Sequence, residues 1–115
     1  MLPTKYRLKN RQVFSDVFKG GKSFSNEVVI IKSKSASPHS LKIGFSVGMK
    51  FSKKSSVRNK VKRWMREAVR LELKNIKKGC EIVILINPKY PYKQLNSNLV
   101  QEKIKDLLKK ANVTL

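Results

Sequence analysis

The run Cys80-Glu81-Ile82-Val83-Ile84-Leu85-Ile86 constrains the fold more than any other stretch of the chain. Side chains alternate across a β-strand, so a strand that is apolar at nearly every position needs cover on both faces. The run therefore predicts a central strand of a sheet, with packing layers on either side. With 115 residues, 40% of them hydrophobic, the chain can bury one such core but not two. That predicts a single domain over residues 1–115.

Period and punctuation place the other elements around this strand. Residues 10–19 read as a short helix: Asn10 can cap it, Val13, Phe14, Val17 and Phe18 recur at helical spacing, and Gly20-Gly21 stops it. Residues 27–34 are rich in β-branched side chains and read as a strand. A turn over 35–40, with Pro38, leads to a second strand from 41 to about 48, on the alternation Leu41, Ile43, Phe45, Val47. The best helix spans about 56–75, and Gly79 ends that region. Pro88, Tyr90, Pro91 and Tyr92 form a turn. The last helix starts at Asn96 or Asn98 and runs to Lys110, with Leu99, Ile104, Leu107 and Leu108 inward. The strands at 41–48 and 80–86 are joined through a helix and so can run parallel. The order αββαβα describes an α+β fold, a small mixed sheet of three to four strands packed with three helices.

The charge balance shows what the outside of this fold faces. Twenty-seven Lys and Arg against seven Asp and Glu leave a formal net charge of +20. A compact domain with that self-repulsion calls for a polyanion, and nucleic acid is the usual one. Of the basic residues 21 are Lys and six are Arg, and four of the six (Arg58, Arg63, Arg66, Arg70) fall in one helix. Clustered Arg in a chain that defaults to Lys points to planar, bidentate contacts with phosphates or base edges. No stretch approaches the roughly 18 apolar residues of a membrane-spanning helix. The segment Met1-Leu2-Pro3-Thr4-Lys5-Tyr6-Arg7 lacks the apolar run of a signal peptide. Cys80 is the single cysteine, which excludes an internal disulfide and reads as a small buried hydrophobe. These features together imply a cytoplasmic protein.

At 100° per residue, Val57, Val61, Trp64, Met65, Ala68 and Leu71 gather on one side of the 56–75 helix, and Asn59, Lys62, Arg63, Arg66 and Arg70 on the other. A merely solvated helix face alternates signs to gain i,i+4 pairs. Here only Glu67 stands at the edge of the basic face, within reach of Arg63 and Arg70. The like-charge pairs Lys62/Arg66 and Arg66/Arg70 each cost a few tenths of a kcal/mol. Local stability is given up for a field that suits backbone phosphates.

The stretch Lys53-Lys54-Ser55-Ser56-Val57-Arg58-Asn59-Lys60-Val61-Lys62-Arg63-Trp64-Met65-Arg66-Glu67-Ala68-Val69-Arg70 closely resembles the Arg-Asn-Arg signature of the bacterial ribonuclease P protein component family. The resemblance extends to Arg7-Leu8, to the helix with Phe14 and Phe18 before a glycine, to Gly44-Phe45-Ser46-Val47, to the strand from Glu81 and to the last helix. It implies a protein subunit of an endoribonuclease whose large RNA subunit performs the chemistry, removing the 5′ leader of precursor tRNA with Mg²⁺ held mainly by RNA. It implies a left-handed strand–helix–strand crossover, against the usual right-handed rule. It assigns Arg58, Asn59, Lys60, Lys62, Arg63, Arg66 and Arg70 to the catalytic RNA, extended by Lys50, Lys53 and Lys54. It assigns Phe14 and Phe18 to a cleft for the single-stranded leader, where stacking on aromatics is sequence-tolerant. An i,i+4 apolar pair is as readily core, so each Phe has two readings. The chain departs from the family pattern at Lys60, which keeps the charge without the guanidinium fork. It departs at Met49, where a lysine is common, and at Lys32, which would replace a stacking aromatic of the cleft with a phosphate contact.

Nothing in the sequence equips the chain to cleave RNA alone. The one histidine, His39, sits in a Ser/Pro loop, and Asp16, Glu27, Glu67, Glu72, Glu81, Glu102 and Asp106 are scattered without a paired-carboxylate motif. Glu102 and Asp106 read as solvated partners of Lys103, Lys105, Lys109 and Lys110. Tyr90 and Tyr92 either anchor their Pro-Tyr turn or stack on bases. No metal ligand set or cofactor motif stands out, and neither a membrane nor an obligate protein partner is expected. The competing reading is a ribosomal or RNA-chaperone type of basic RNA-binding protein. A DNA-binding module would want a helical pair with a short turn, and a membrane-surface helix an exposed apolar face.

Overall fold

The computed structural model describes residues 6–8 and 11–111, and leaves the side chains at 11, 13, 14 and 18 outside that description. The elements are α1 (Arg11–Gly20), β1 (Lys22–Ser25), β2 (Val29–Ser35), β3 (Leu41–Ser46), α2 (Ser55–Glu72), β4 (Cys80–Ile86) and α3 (Ser97–Lys110), with 3-10 turns at Leu73–Asn75 and Tyr92–Gln94. They form an α+β fold: one mixed sheet in the order β1-β2-β4-β3, with β4 antiparallel to β2 and parallel to β3. The order is thus αβββαβα rather than αββαβα. The added strand, β1, is Lys-Ser-Phe-Ser with only Phe24 half-buried, and it owes its extended form to pairing along the β2 edge rather than to its own pattern. Asn10, the expected cap of α1, lies outside the described residues.

β4 is the central strand, and Ile82, Val83 and Ile84 are all fully buried. In register, Cys80, Ile82, Ile84 and Ile86 share a sheet face with Val29 and Ile31 of β2 and Leu41 and Ile43 of β3. This face meets α2 and α3 through Val61, Met65, Ala68, Val69, Val100, Ile104, Leu107 and Leu108 in one core cluster. Each Val, Ile, Leu or Met among them contributes roughly 1.5–3 kcal/mol on full burial. Val83 points to the opposite face. It and Val17 of α1 are fully buried yet stand outside that cluster, and α1 packs on β2 and β4. So α2 and α3 cover one face of the sheet and α1 part of the other.

The inward arc of α2 is rotated from the expected one. Val69 is fully buried and Leu71 is 50% exposed, the reverse of its expected place. Val57 and Trp64 are half-buried. The arc centres near Val61 and Met65 because α3 packs along that side, and a helical wheel shows no neighbours. α3 starts where Asn96 accepts a hydrogen bond from the Leu99 amide at 2.9 Å. Its Lys103 pairs with Glu27 and its Lys105 with Glu72, so these lysines reach across to other elements rather than to Glu102 and Asp106. Asn26 ties the β1–β2 turn together. Its Oδ1 accepts from the Val28 and Val29 amides, both at 2.9 Å, and its Nδ2 donates to the Lys103 carbonyl at 3.1 Å.

The join between α1 and the sheet depends on Gly21. A Cβ there would stand 2.7 Å from the Val17 carbonyl oxygen and 2.8 Å from that of Ser33, both backbone atoms that cannot swing away. Gly21→Ala is therefore expected to lower stability by about 1–3 kcal/mol, the usual cost of overpacking. Urea unfolding measures this directly; an unchanged midpoint would show that α1 does not approach β2 so closely.

Candidate nucleic-acid interface

The face of α2 turned away from the sheet carries Asn59, Arg63 and Arg70, all exposed, flanked by half-buried Lys62 and Arg66. The structure thus brings together the residues that helical spacing grouped. Glu67 engages Arg70, whose Nε donates at 3.1 and 3.0 Å to the two carboxylate oxygens. That bond holds the Glu67 carboxyl below its ordinary range and pushes the Arg70 guanidinium up. Among the described residues, Arg63 and Arg66 make no such ion pair within the helix. The first turn of α2 contains no acid, and its N-cap, Lys54, offers no side-chain cap. The positive end of the helix dipole and its open amides therefore add to the same field.

The loop before α2 presents Lys50, Lys53 and Lys54, all exposed, together with Met49, 67% exposed. It is a shaped loop. The Phe51 amide donates to the Gly48 carbonyl at 3.1 Å, and the Lys54 amide to Ser52 Oγ at 3.2 Å. Arg58 closes it from the helix: Nη1 donates to the Ser52 carbonyl at 3.0 Å. Half-buried Arg58 thus ties the loop to the helix, while Arg63 is fully outward. The tie spans six residues, a spacing that no helical or strand pattern marks, so sequence reasoning could not find it.

An aromatic stack supports this end of the helix. Trp64 lies nearly parallel to Tyr92 (centroids 6.5 Å apart, 17°), and Phe51 meets Tyr92 edge-on (6.2 Å, 88°). Lys60 Nζ sits 5.6 Å from the Trp64 ring centroid. Tyr92 therefore anchors its turn, and Tyr90 packs half-buried against the core. The three aromatics come from a loop, a helix and a turn far apart in sequence, and only the fold shows that they meet.

The α1 side of the sheet carries a second surface. Lys32 lies on this face in register with Ser23 of β1 and Val83 of β4. Ile30 and Leu85 face each other one step along, and each is half-buried. This is an apolar floor beside a cation. Positions 14 and 18 belong to α1, and the side chains of Phe14 and Phe18 lie outside the described residues.

Other candidate chemistry stays apart from both surfaces. His39 is exposed in its loop. Burial, then the neighbouring Glu81 charge, pushes the Cys80 thiol up, away from a reactive thiolate. Among the described residues no three metal-ligating side chains converge, so no step is assigned to a metal held by this chain. No described helix is long and apolar enough to cross a membrane.

Comparison with known proteins gives a consistent match. The family model described as Ribonuclease P matches residues 2–112. The ribonuclease P protein component of Thermotoga petrophila is 36% identical over 106 residues, covering 90% of each chain. That of Clostridium botulinum is 35% identical over 112 residues, covering 93% of this chain and 95% of its relative. Among solved structures, the RNase P protein of Thermotoga maritima superposes with a TM-score of 0.80 at 35% identity, covering 90% of this chain and 96% of that one.

Replacing Arg58 tests the loop tie. Arg58→Ala is expected to cost about 1 kcal/mol, the usual worth of one hydrogen bond, and to speed amide exchange across residues 50–54. Arg58→Lys keeps the charge but not the fork, and it should loosen the loop equally. Unchanged exchange in both variants would mean that the Ser52 contact does not hold the loop.

Proposed function

The chain belongs to the ribonuclease P protein family, and on that premise we propose that it is the protein subunit of a ribonuclease P holoenzyme, working in 5′ maturation of tRNA. The RNA subunit performs the cleavage, using Mg²⁺ held mainly by RNA, and this chain supplies binding surfaces to the assembly. The observation that carries the reading is the outward Arg63/Arg66 face of α2 on a chain matched to the family over residues 2–112.

The α2 face and its loop dock on the catalytic RNA. Arg63, Arg66 and Lys62 supply charge along the helix, and Asn59 adds an amide that can both donate and accept. Lys50, Lys53 and Lys54 extend the surface around the open helix N-terminus. Arg58 acts mainly by shaping that loop, Lys60 is shared with Trp64, and Arg70 with Glu67. Affinity from such contacts comes chiefly from counterion release and is therefore strongly salt-dependent. The α1 side of the sheet receives the single-stranded leader of precursor tRNA: Phe14 and Phe18 for stacking, Ile30 and Leu85 as an apolar floor, and Lys32 for a phosphate. A leader held on one sheet face and a catalytic RNA held from the other helix layer fit a single RNA-binding domain that joins enzyme to substrate.

Reconstitution tests the subunit role. Added to a bacterial ribonuclease P RNA at low Mg²⁺, the protein is expected to stimulate 5′ processing of a precursor tRNA strongly. Arg63→Ala with Arg66→Ala should weaken binding of that RNA and reduce the salt slope by roughly 0.7–0.9 per cation removed. RNA binding without any stimulation would leave a basic RNA-binding protein of ribosomal or chaperone type.

The leader assignment has its own test. Phe14→Ala or Phe18→Ala is expected to reduce holoenzyme affinity for precursor tRNA several-fold, with stacking worth about 1–3 kcal/mol per base, while affinity for mature tRNA stays unchanged. Equal losses for both RNAs would make the two side chains core residues.

A further inference from the structure

A further basic surface lies at the end of the sheet, apart from the α2 face and beyond the Ile30–Leu85 floor of the α1 side. Where β1, the end of β2 and the start of β4 meet the end of α3, the molecule has a depression of about 690 Å³. Lys22, Lys34, Lys77, Lys78 and Lys110 stand around it, all exposed, and among the described residues no carboxylate lines it. The hydroxyls of Ser33 and Ser35 add donors to its wall. It lies at the end of the sheet, where Ser33 and Ser35 share the face of Ile82 and Cys80 while Gly20 and Lys34 belong to the α1 side.

The rim is fixed by backbone. Lys77 and Lys78 sit on a turn closed by Gly79, at φ 95°, a conformation that suits glycine. The Gly79 amide donates to the Ser40 carbonyl at 2.6 Å, its carbonyl accepts from the Ala36 amide at 2.9 Å, and Cys80 Sγ donates to the Lys77 carbonyl at 3.4 Å. On the far rim Gly20 and Lys22 flank Gly21, whose backbone presses on Ser33. The backbone positions of Lys77 and Lys78 are thus set by these hydrogen-bonded turns, and their side chains remain exposed at the rim.

We propose that this depression binds the sugar–phosphate backbone of RNA at a third site, a reading that rests on the RNA-binding function above. The kind of cation defines the mode. The α2 face uses Arg, whose planar fork suits oriented, bidentate contacts, whereas every described cation lining the depression is a Lys, a compact point charge. Phe24, the one aromatic among its described lining residues, is half-buried and packs against the core. The site therefore reads phosphates and carries no sequence preference. It steers an RNA strand that passes the edge of the sheet, either part of the catalytic RNA or part of the precursor beyond its leader.

The test is the triple substitution Lys77→Ala, Lys78→Ala, Lys110→Ala in the full chain, with circular dichroism and melting to show that it folds. Two salt titrations are run, one of protein with the catalytic RNA and one of the reconstituted holoenzyme with precursor tRNA. The slope of log affinity against log salt should fall by roughly two in one of them, at about 0.7–0.9 per lysine. The affected titration identifies the RNA, and Lys→Arg at the same three positions should restore the slope. Wild-type binding with unchanged slopes in both titrations for the triple variant would overturn the site and leave the subunit role standing. A wild type that binds neither RNA would remove both.

Discussion

Five of the seven residues of β4 are buried, among them Ile82, Val83 and Ile84 in succession. Since neighbours on a strand point to opposite faces, that burial requires packing on both sides of the sheet. The helices divide accordingly. α2 and α3 supply the larger apolar area and take the face of Ile82, Ile84 and Ile86, and α1 takes that of Val83. Short α1 leaves part of its face open, and there Ile30, Leu85 and Lys32 remain half-exposed. One buried strand thus generates two distinct outer surfaces, one on the back of α2 and one beside α1.

Those surfaces carry charge because the core accepts none. Every described buried residue is apolar, so all the described lysines and arginines reach solvent at least in part. Position then decides what each cation can do. Arg58 is drawn inward by the Ser52 carbonyl, Arg70 is held by Glu67, and Lys60 lies on Trp64, whereas Arg63 faces outward. An equal count of basic residues therefore does not mean equal binding strength along α2. The residues with internal partners hold the surface in shape, and those without supply the long-range attraction.

Much of this was legible in the sequence where one element carries the whole signal. β4 announced itself by composition, α2 by period, α3 by its Asn cap and apolar spacing. The basic grouping on α2 could be drawn from helical geometry alone, because a surface face is defined by the helix that bears it. What failed was information held by a neighbour. β1 has one apolar residue and exists through β2, and Leu71 was placed inward because a wheel cannot show that α3 packs on the Val69 side. The same reason hid the Arg58 tie, the Phe51–Tyr92–Trp64 stack and the pairing of Lys103 with Glu27, each joining residues that no local pattern connects.

The repulsion built into α2 also couples binding to stability. Lys62, Arg66 and Arg70 follow one another at i,i+4, an arrangement that weakens a helix by a few tenths of a kcal/mol per pair. Only Glu67 offsets it from within the helix, and its carboxylate is already committed to Arg70. The deficit is tolerated because Val61, Met65, Ala68 and Val69 anchor the other side of the helix in the core. A polyanion on the outer face removes the repulsion while leaving those anchors untouched. Any ligand that binds the folded form alone stabilises it by mass action, and here relief of like-charge strain adds to that effect. On the outer face of α2, then, packing on the opposite side carries the helix in the free protein, and a bound polyanion would turn the cost of its like charges into a gain.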